Sequence, residues 1–140
     1  MVADAEVSFT APIDDLDAFC QKWAAMLLRH ERLLSIFSIT NTIILAGASD
    51  EQHKEFRQQM HVDYCRLAAV ARVALPQLDA EQAVRFINLE NSFALALYPA
   101  SCEYKKANNI TIFYEIGYGT REFIPQFVAY LKVVLAGLLT

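Results

Sequence analysis

Glu90 is the residue of this 140-residue chain whose type and position sit least easily with plain packing. It falls in the middle of a helical stripe formed by Ala83, Phe86, Ile87, Ala94 and Leu97. A carboxylate on such a face must be paired, hydrogen-bonded or protonated, because an isolated charge is heavily penalised in an apolar interior. Two readings stand open. One is a polar anchor inside an apolar ligand pocket. The other is a structural pair with an Arg or Tyr of a neighbouring helix, within the protomer or across a dimer interface. Asn41, between Phe37 and Ile44 on an uncharged stretch, poses a similar choice. Its amide either bonds a ligand or satisfies a nearby helix end.

The other chemistry-bearing residues point to less. His30 lies on the Trp23 face near a helix end, where the dipole favours a charged ring. His53 and His61 are two turns apart on one helix, too far to share a metal ion. No HExxH and no carboxylate–histidine di-iron pattern occurs. The chain has no GxSxG elbow, P-loop or GxGxxG. Gly117 and Gly119 read as turn glycines. Cys20, Cys65 and Cys102 stand far apart without a CxxC pair. Buried free thiols in a reducing cytoplasm are therefore expected, not a disulfide framework or a zinc site. No catalytic residue, metal or cofactor is assigned.

The elements that hold these residues read as helices. Hydrophobic residues make up 55% and charged residues 20% of the chain, which excludes disorder. Four Gly and four Pro are too few for a β-sandwich, which needs a turn every ~8–12 residues. The spacing predicts an irregular lead over 1–12. A helix follows from about 13 to 30, opened by Pro12 and Asp14 and carrying Leu16, Phe19, Cys20, Trp23 and Leu27 on one face. Residues 33–46 are apolar almost all round, as in a fully buried helix, with Gly47 as the stop. Ser49 and Gln52 form a capping box for a helix to about Ala74, whose face is Phe56, Met60, Tyr64, Leu67 and Ala71. Asp79 and Gln82 form a second box for a helix over 79–98, ended by Pro99. Residues 100–120 read as a long connection with a strand-like run at 110–114. A last helix opens at Thr120 or Arg121 and is apolar on more than one side.

Charge and hydropathy exclude two partner classes. The net charge is −4, and six of the sixteen acids lie in residues 1–31. A nucleic-acid footprint requires a basic patch, and none is visible. Mean hydropathy is +0.24, yet the long uncharged stretches are broken by Asn41, Asn91 and Pro99, and the tail by Pro125, Gln126 and Lys132. None reads as a membrane span.

The succession of helices resembles a known family. Leu27–Leu34 (Leu-Leu-Arg-His-Glu-Arg-Leu-Leu) is similar to the helix-to-helix turn of the ligand-binding domain of TetR-family transcriptional regulators, with Glu31 where Pro is usual. Phe56 at the start of a long helix, Ala74-Leu75-Pro76-Gln77-Leu78, the helix ending Ala96-Leu97-Tyr98-Pro99 and the apolar tail with Ala136-Gly137-Leu138 complete the likeness over about 13–139. The family's N-terminal helix-turn-helix is expected to be absent. Leu45–Ser49 imitates its turn, but Asp50 and Glu51 follow in place of a basic recognition helix. Met1 thus reads as the start of a truncated chain.

The resemblance implies an all-α bundle of five to six helices over 13–140, acting as a cytoplasmic effector-sensing and homodimerisation domain. DNA would be reached only through a domain outside this chain, and membranes not at all. It implies a small-molecule pocket, and helix faces nominate Trp23, Phe37, Asn41, Tyr64, Phe86 and Glu90 to line it for an apolar or aromatic effector. It also implies that the last two long helices pair with those of a second copy through Val84, Phe127, Tyr130, Leu131, Val134 and Leu138. A tail helix apolar on two sides agrees, since a symmetric partner would cover the second side. Two other classes remain: an adaptor that docks a different protein on the tail helix, and a small helical enzyme using Glu90 with a histidine.

Overall fold

The computed structural model describes residues 1–106 and 122–140, the side chains of 41, 42 and 104–106 apart. Caps and breakers cut these residues into six α-helices, with no strand among them. They are α1 (Val2–Ser8), α2 (Leu16–Leu28), α3 (Glu31–Ile39), α4 (Asp50–Ala74), α5 (Ala80–Lys106) and α6 (Phe123–Leu138). After α3 the backbone widens into a π-turn at Thr40–Ile44 and then tightens into a 3-10 turn at Leu45–Gly47. The strand-like run at 110–114 and the glycines 117 and 119 lie outside the described residues, as does the Asn41 side chain.

Both capping boxes form. Ser49 and Gln52 exchange their bonds at the head of α4. Asp79 and Gln82 do so at the head of α5, at 2.8 and 2.9 Å. These pairs satisfy backbone donors that a helix start leaves free. Helix α2 is capped by Asp15, whose side chain accepts from Asp17 N. Helix α6 begins at Phe123, two or three residues later than the expected opening.

Helix α5 is the hub. It packs against α3, α4 and α6, while α6 also lies along α2 and α1 rests on α4. Two aromatic clusters fill the interior. Phe9, Phe19, Trp23 and Phe86 meet with ring centroids 5.1–5.9 Å apart. Phe93 stacks on Tyr130 at 3.9 Å, and Phe123 on Phe127 at 5.1 Å.

Four expectations are corrected. The lead over 1–12 is not irregular. Residues 2–8 are helical, and Ala5 and Phe9 are buried in the core. Trp23 and Phe19 need a cover, and Phe9 with α1 supplies it. Polar clamps hold α1 in place. Asp4 binds Arg29 at 3.0 Å and His30 at 2.8 Å, and Glu6 binds Arg66 at 2.7 Å. The Arg29 guanidinium first, then His30, hold the Asp4 carboxyl far below the usual carboxylate range.

The stretch 33–46 is not a buried helix either. Ile36, Ile39, Ile43 and Ile44 are exposed, and Leu34, Thr40 and Leu45 are the buried ones among its described side chains. Among the described residues it packs chiefly on α5, with α2 at a smaller contact and Phe37 against Phe56 of α4. Pro99 does not end α5, which runs on to Lys106. An interior Pro costs ~3 kcal/mol through a lost N–H and a clash, but Pro99 is on the exposed side, and buried Tyr98 and Ser101 anchor the continuation. Of the thiols, Cys20 is buried while Cys65 is exposed and Cys102 half-buried, all three free. Their spacing carried no burial signal.

Because α1 closes the core, Phe9→Ala should lower the free energy of unfolding by about 3–5 kcal/mol, the usual cost of truncating a buried Phe. Urea titration measures it. A loss below ~1 kcal/mol would mean that α1 is not docked in solution.

Candidate functional site

Glu90 lies on the inward face of α5, with Phe86 and Ala94 one turn to either side. It is 1% exposed. Its Oε2 has no hydrogen-bond partner among the described residues, and neither has the indole Nε1 of Trp23 on α2. The two groups are neighbours: burial pushes the Glu90 carboxyl up to about 8, and the Trp23 N–H draws it back a little. The N–H nevertheless closes no hydrogen bond of ordinary geometry. The neutral acid is thus the favoured form at neutral pH, because desolvation disfavours the charge.

Tyr64 of α4 stands on the other side of this group. Burial first, then the charge of Glu90, push its phenol up. The Asn91 amide donates to the Tyr64 hydroxyl and ties α5 to α4 beside Glu90. No Arg is paired with Glu90 among the described residues. The histidines are engaged elsewhere: His30 with Asp4, His53 with the Leu45 carbonyl at 2.7 Å, and His61 with Cys65. No histidine is among the groups that act on the Glu90 carboxyl. No group of three or more metal-ligating side chains exists among the described residues.

The structure brings part of the expected lining set together. Trp23, Phe86 and Glu90 are fully buried and adjacent, with the Trp23 and Phe86 rings 5.5 Å apart. Tyr64 joins them at the α4 side. Phe37 lies apart from this cluster, beside Phe56 at 6.4 Å. It borders a void of about 20 Å³ shared with Thr40, Phe56, Met60 and Leu95. Thr40 and Leu95 were missed. Phe56 and Met60 were visible as the face of α4, but nothing in one sequence marks where packing is incomplete. A much larger hollow of about 740 Å³ opens to solvent between α3 and α5, lined by residues that include Ser35, Ser38, Tyr98, Pro99 and Glu103. None of the expected lining residues whose side chains are described borders it.

The expected interface set divides as well. Phe127 and Leu131 are 0% exposed within one protomer. Their side chains fill the core against α2 and α5, so they cannot face a second copy. Tyr130, Val134 and Leu138 are half-buried at the α5–α6 seam, where Tyr130 donates to the Leu89 carbonyl. Val84 is exposed, but it lies on the line of Asn91, seven residues on, and so faces the α4 side. Sequence periodicity located the apolar faces of α6 without telling inner from outer. The exposed residues of α6 are Pro125, Ala129, Lys132, Val133, Ala136 and Gly137, with exposed Leu89 on the neighbouring α5.

The family model described as Tetracyclin repressor-like, C-terminal domain matches residues 1–140. The chain belongs to that family. It has no significant match among curated proteins or among solved structures. No helix of the described residues is long and apolar enough to cross a membrane.

The position of Glu90 fixes a pH dependence. Its pKa rises from 4.5 to about 8 on folding, so the folded chain holds a proton that the unfolded chain releases. This contribution is full below the unfolded value and is lost as pH climbs through the folded one, at ~1.4 kcal/mol per pH unit between them. The Tm of the wild type should therefore fall relative to that of Glu90→Gln as pH is raised across this window. A constant gap between the two proteins would mean that Glu90 is ionised and paired in the fold.

Proposed function

We propose that this chain is the effector-sensing and homodimerisation domain of a TetR-like transcriptional regulator. A small molecule held in the bundle alters operator binding by a separate N-terminal domain, in the cytoplasm. The observation that carries the reading, beyond the family, is the outer face of α6. Val133 is 74% exposed, and Ala129, Ala136 and Gly137 flank it on the exposed side. Lys132 is the helix's one charged residue, and it is drawn to the edge by its ion pair with Asp17 on α2. An uncharged helix face that wets no core of its own is suited to a two-fold copy, in which small residues let the helices approach. Leu89, 38% exposed, extends the face onto α5.

The sensing half of the reading is supported by Glu90. A fold under pressure for stability alone gains from replacing an unpaired buried carboxyl with an apolar residue. Its presence in the core, with an unmatched indole N–H beside it, suits a ligand that completes the set. Helix α2 carries Trp23 at this point and is clamped to α1 at its end by Asp4. A ligand that moves Trp23 would therefore move the amino-terminal end of the domain, where a DNA-binding domain would join.

The dimer is tested by native mass spectrometry at micromolar concentration. The wild type should appear at twice 15.8 kDa. Val133→Glu should appear as a monomer with unchanged helical circular dichroism, because the Val133 side chain is outside the core. A monomeric wild type would overturn the dimer and favour the adaptor reading, in which a different protein covers α6.

A further inference from the structure

His61 and Cys65 stand one turn apart on the outer side of α4, and both are exposed. The His61 Nε2 and the Cys65 Sγ are 3.7 Å from each other. Two ligands of one tetrahedral zinc ion, at ~2.3 Å for a thiolate sulfur and ~2.1 Å for an imidazole nitrogen, lie ~3.6 Å apart. The pair is therefore spaced as one edge of such a coordination shell. The donor types agree, since sulfur and nitrogen suit zinc, whereas calcium and magnesium take oxygen. To each other the two groups offer little, because a thiol is a weak hydrogen-bonding group.

One copy of the chain stops at two ligands. The carboxylates nearest in sequence or space are engaged: Asp63 accepts from the Gln59 amide at 3.1 Å, and Glu6 holds Arg66. No third ligating side chain joins the pair among the described residues. A closed zinc site takes four, so the missing two must come from outside the protomer.

The surface around the pair is suited to a second copy. Gln58, Val62, Cys65, Ala69 and Val73 follow one another at steps of three and four residues, so they share one stripe. All five are exposed and none is charged. Val62 is 50% and Val73 44% exposed. The stripe lies between Tyr64, which turns to α5, and Arg66, which turns to α1. Two α4 helices crossing about a two-fold axis at Cys65 would bring both pairs together, and Ala69 is small enough to let the helices approach.

We propose that His61 and Cys65 are half of a zinc site, completed by the same two residues of a second copy to give a shell of two imidazoles and two thiolates. Each thiol loses its proton as its sulfur–zinc bond forms. One zinc ion bound thus releases two protons to solvent, and no electron is transferred. The α4 stripe is a different face from that of α6. Zinc would therefore join the assemblies that α6 makes, and the proposal stands apart from the sensing role.

Native mass spectrometry of the reduced chain, with zinc chloride and with EDTA, tests the proposal. Zinc should at least double the number of chains in the species seen, with one zinc for every two chains, and EDTA should reverse it. Cobalt in place of zinc should give a thiolate-to-cobalt charge-transfer band and the visible bands of a tetrahedral ion. His61→Ala and Cys65→Ala should keep their helical circular dichroism, since both side chains are exposed, and lose the zinc-linked species. Cys65→Ala should also lose the charge-transfer band. A wild type that retains no zinc would overturn the proposal. So would one zinc on each chain without a change in assembly, or a zinc-linked species that survives in Cys65→Ala. The EDTA spectrum reads the α6 dimer by itself, so a monomer there overturns that dimer while the zinc arm still decides this site.

Discussion

The fold depends on one constraint: α5 must bury one face and pack both flanks of it while joining three helices. Its inward residues Ala83, Phe86, Ile87, Glu90, Ala94 and Tyr98 are all buried. Two of them are Ala, which lets neighbouring helices approach, and the rings fill the space between. One flank receives α6 through Phe93 and Tyr130, and the Gln82 amide donates to the Leu138 carbonyl at 2.6 Å. The other flank receives α4 through Asn91 and Tyr64. The capping box at Asp79 fixes where this helix begins, and hence the rotational position of every side chain after it. The continuation past Pro99 keeps Tyr98 and Ser101 in the core, which a helix ending there would not secure.

What was legible in the sequence follows from local physics. Capping boxes, proline stops and four-residue spacing act within one turn or two, so the starts of α4 and α5 and the end of α4 were readable. Glu90 was readable as an anomaly for the same reason, since its stripe is defined by its own helix. Partners were not readable. Whether Ile36 and Ile43 meet protein or solvent depends on what packs against α3, and their apolar character was misread as burial. The docking of α1 depends on Phe9 covering Trp23 across fourteen residues of chain. The division of α6 into a core face with Phe127 and Leu131 and an outer face with Val133 depends on where α2 and α5 lie. Composition around that helix is apolar on both sides, so periodicity alone had no means to choose.

The buried carboxyl carries a cost that the surrounding packing offsets. A Glu without a partner in an apolar interior is held neutral by desolvation. Neutral, it still leaves an acceptor unmet, and the Trp23 N–H beside it leaves a donor unmet. Each such group costs on the order of 1–3 kcal/mol. The tilted and edge-on rings of Phe19, Trp23 and Phe86 are among the largest fully buried groups of the described residues, and burial of that size is what tolerates the defect.

The placement of the defect matters as much as its cost. It joins three helices with different attachments: α2, clamped to α1 through Arg29 and His30; α4, tied to α1 through Arg66; and α5, bordering the exposed face of α6. On the proposed sensing role, a molecule that satisfies Glu90 and Trp23 would act on α2 and α5 at once. A ligand shifts an equilibrium only by its differential affinity for the two states. An unmatched donor and acceptor supply such a difference, because bonds missing in the closed state are available only in the filled one.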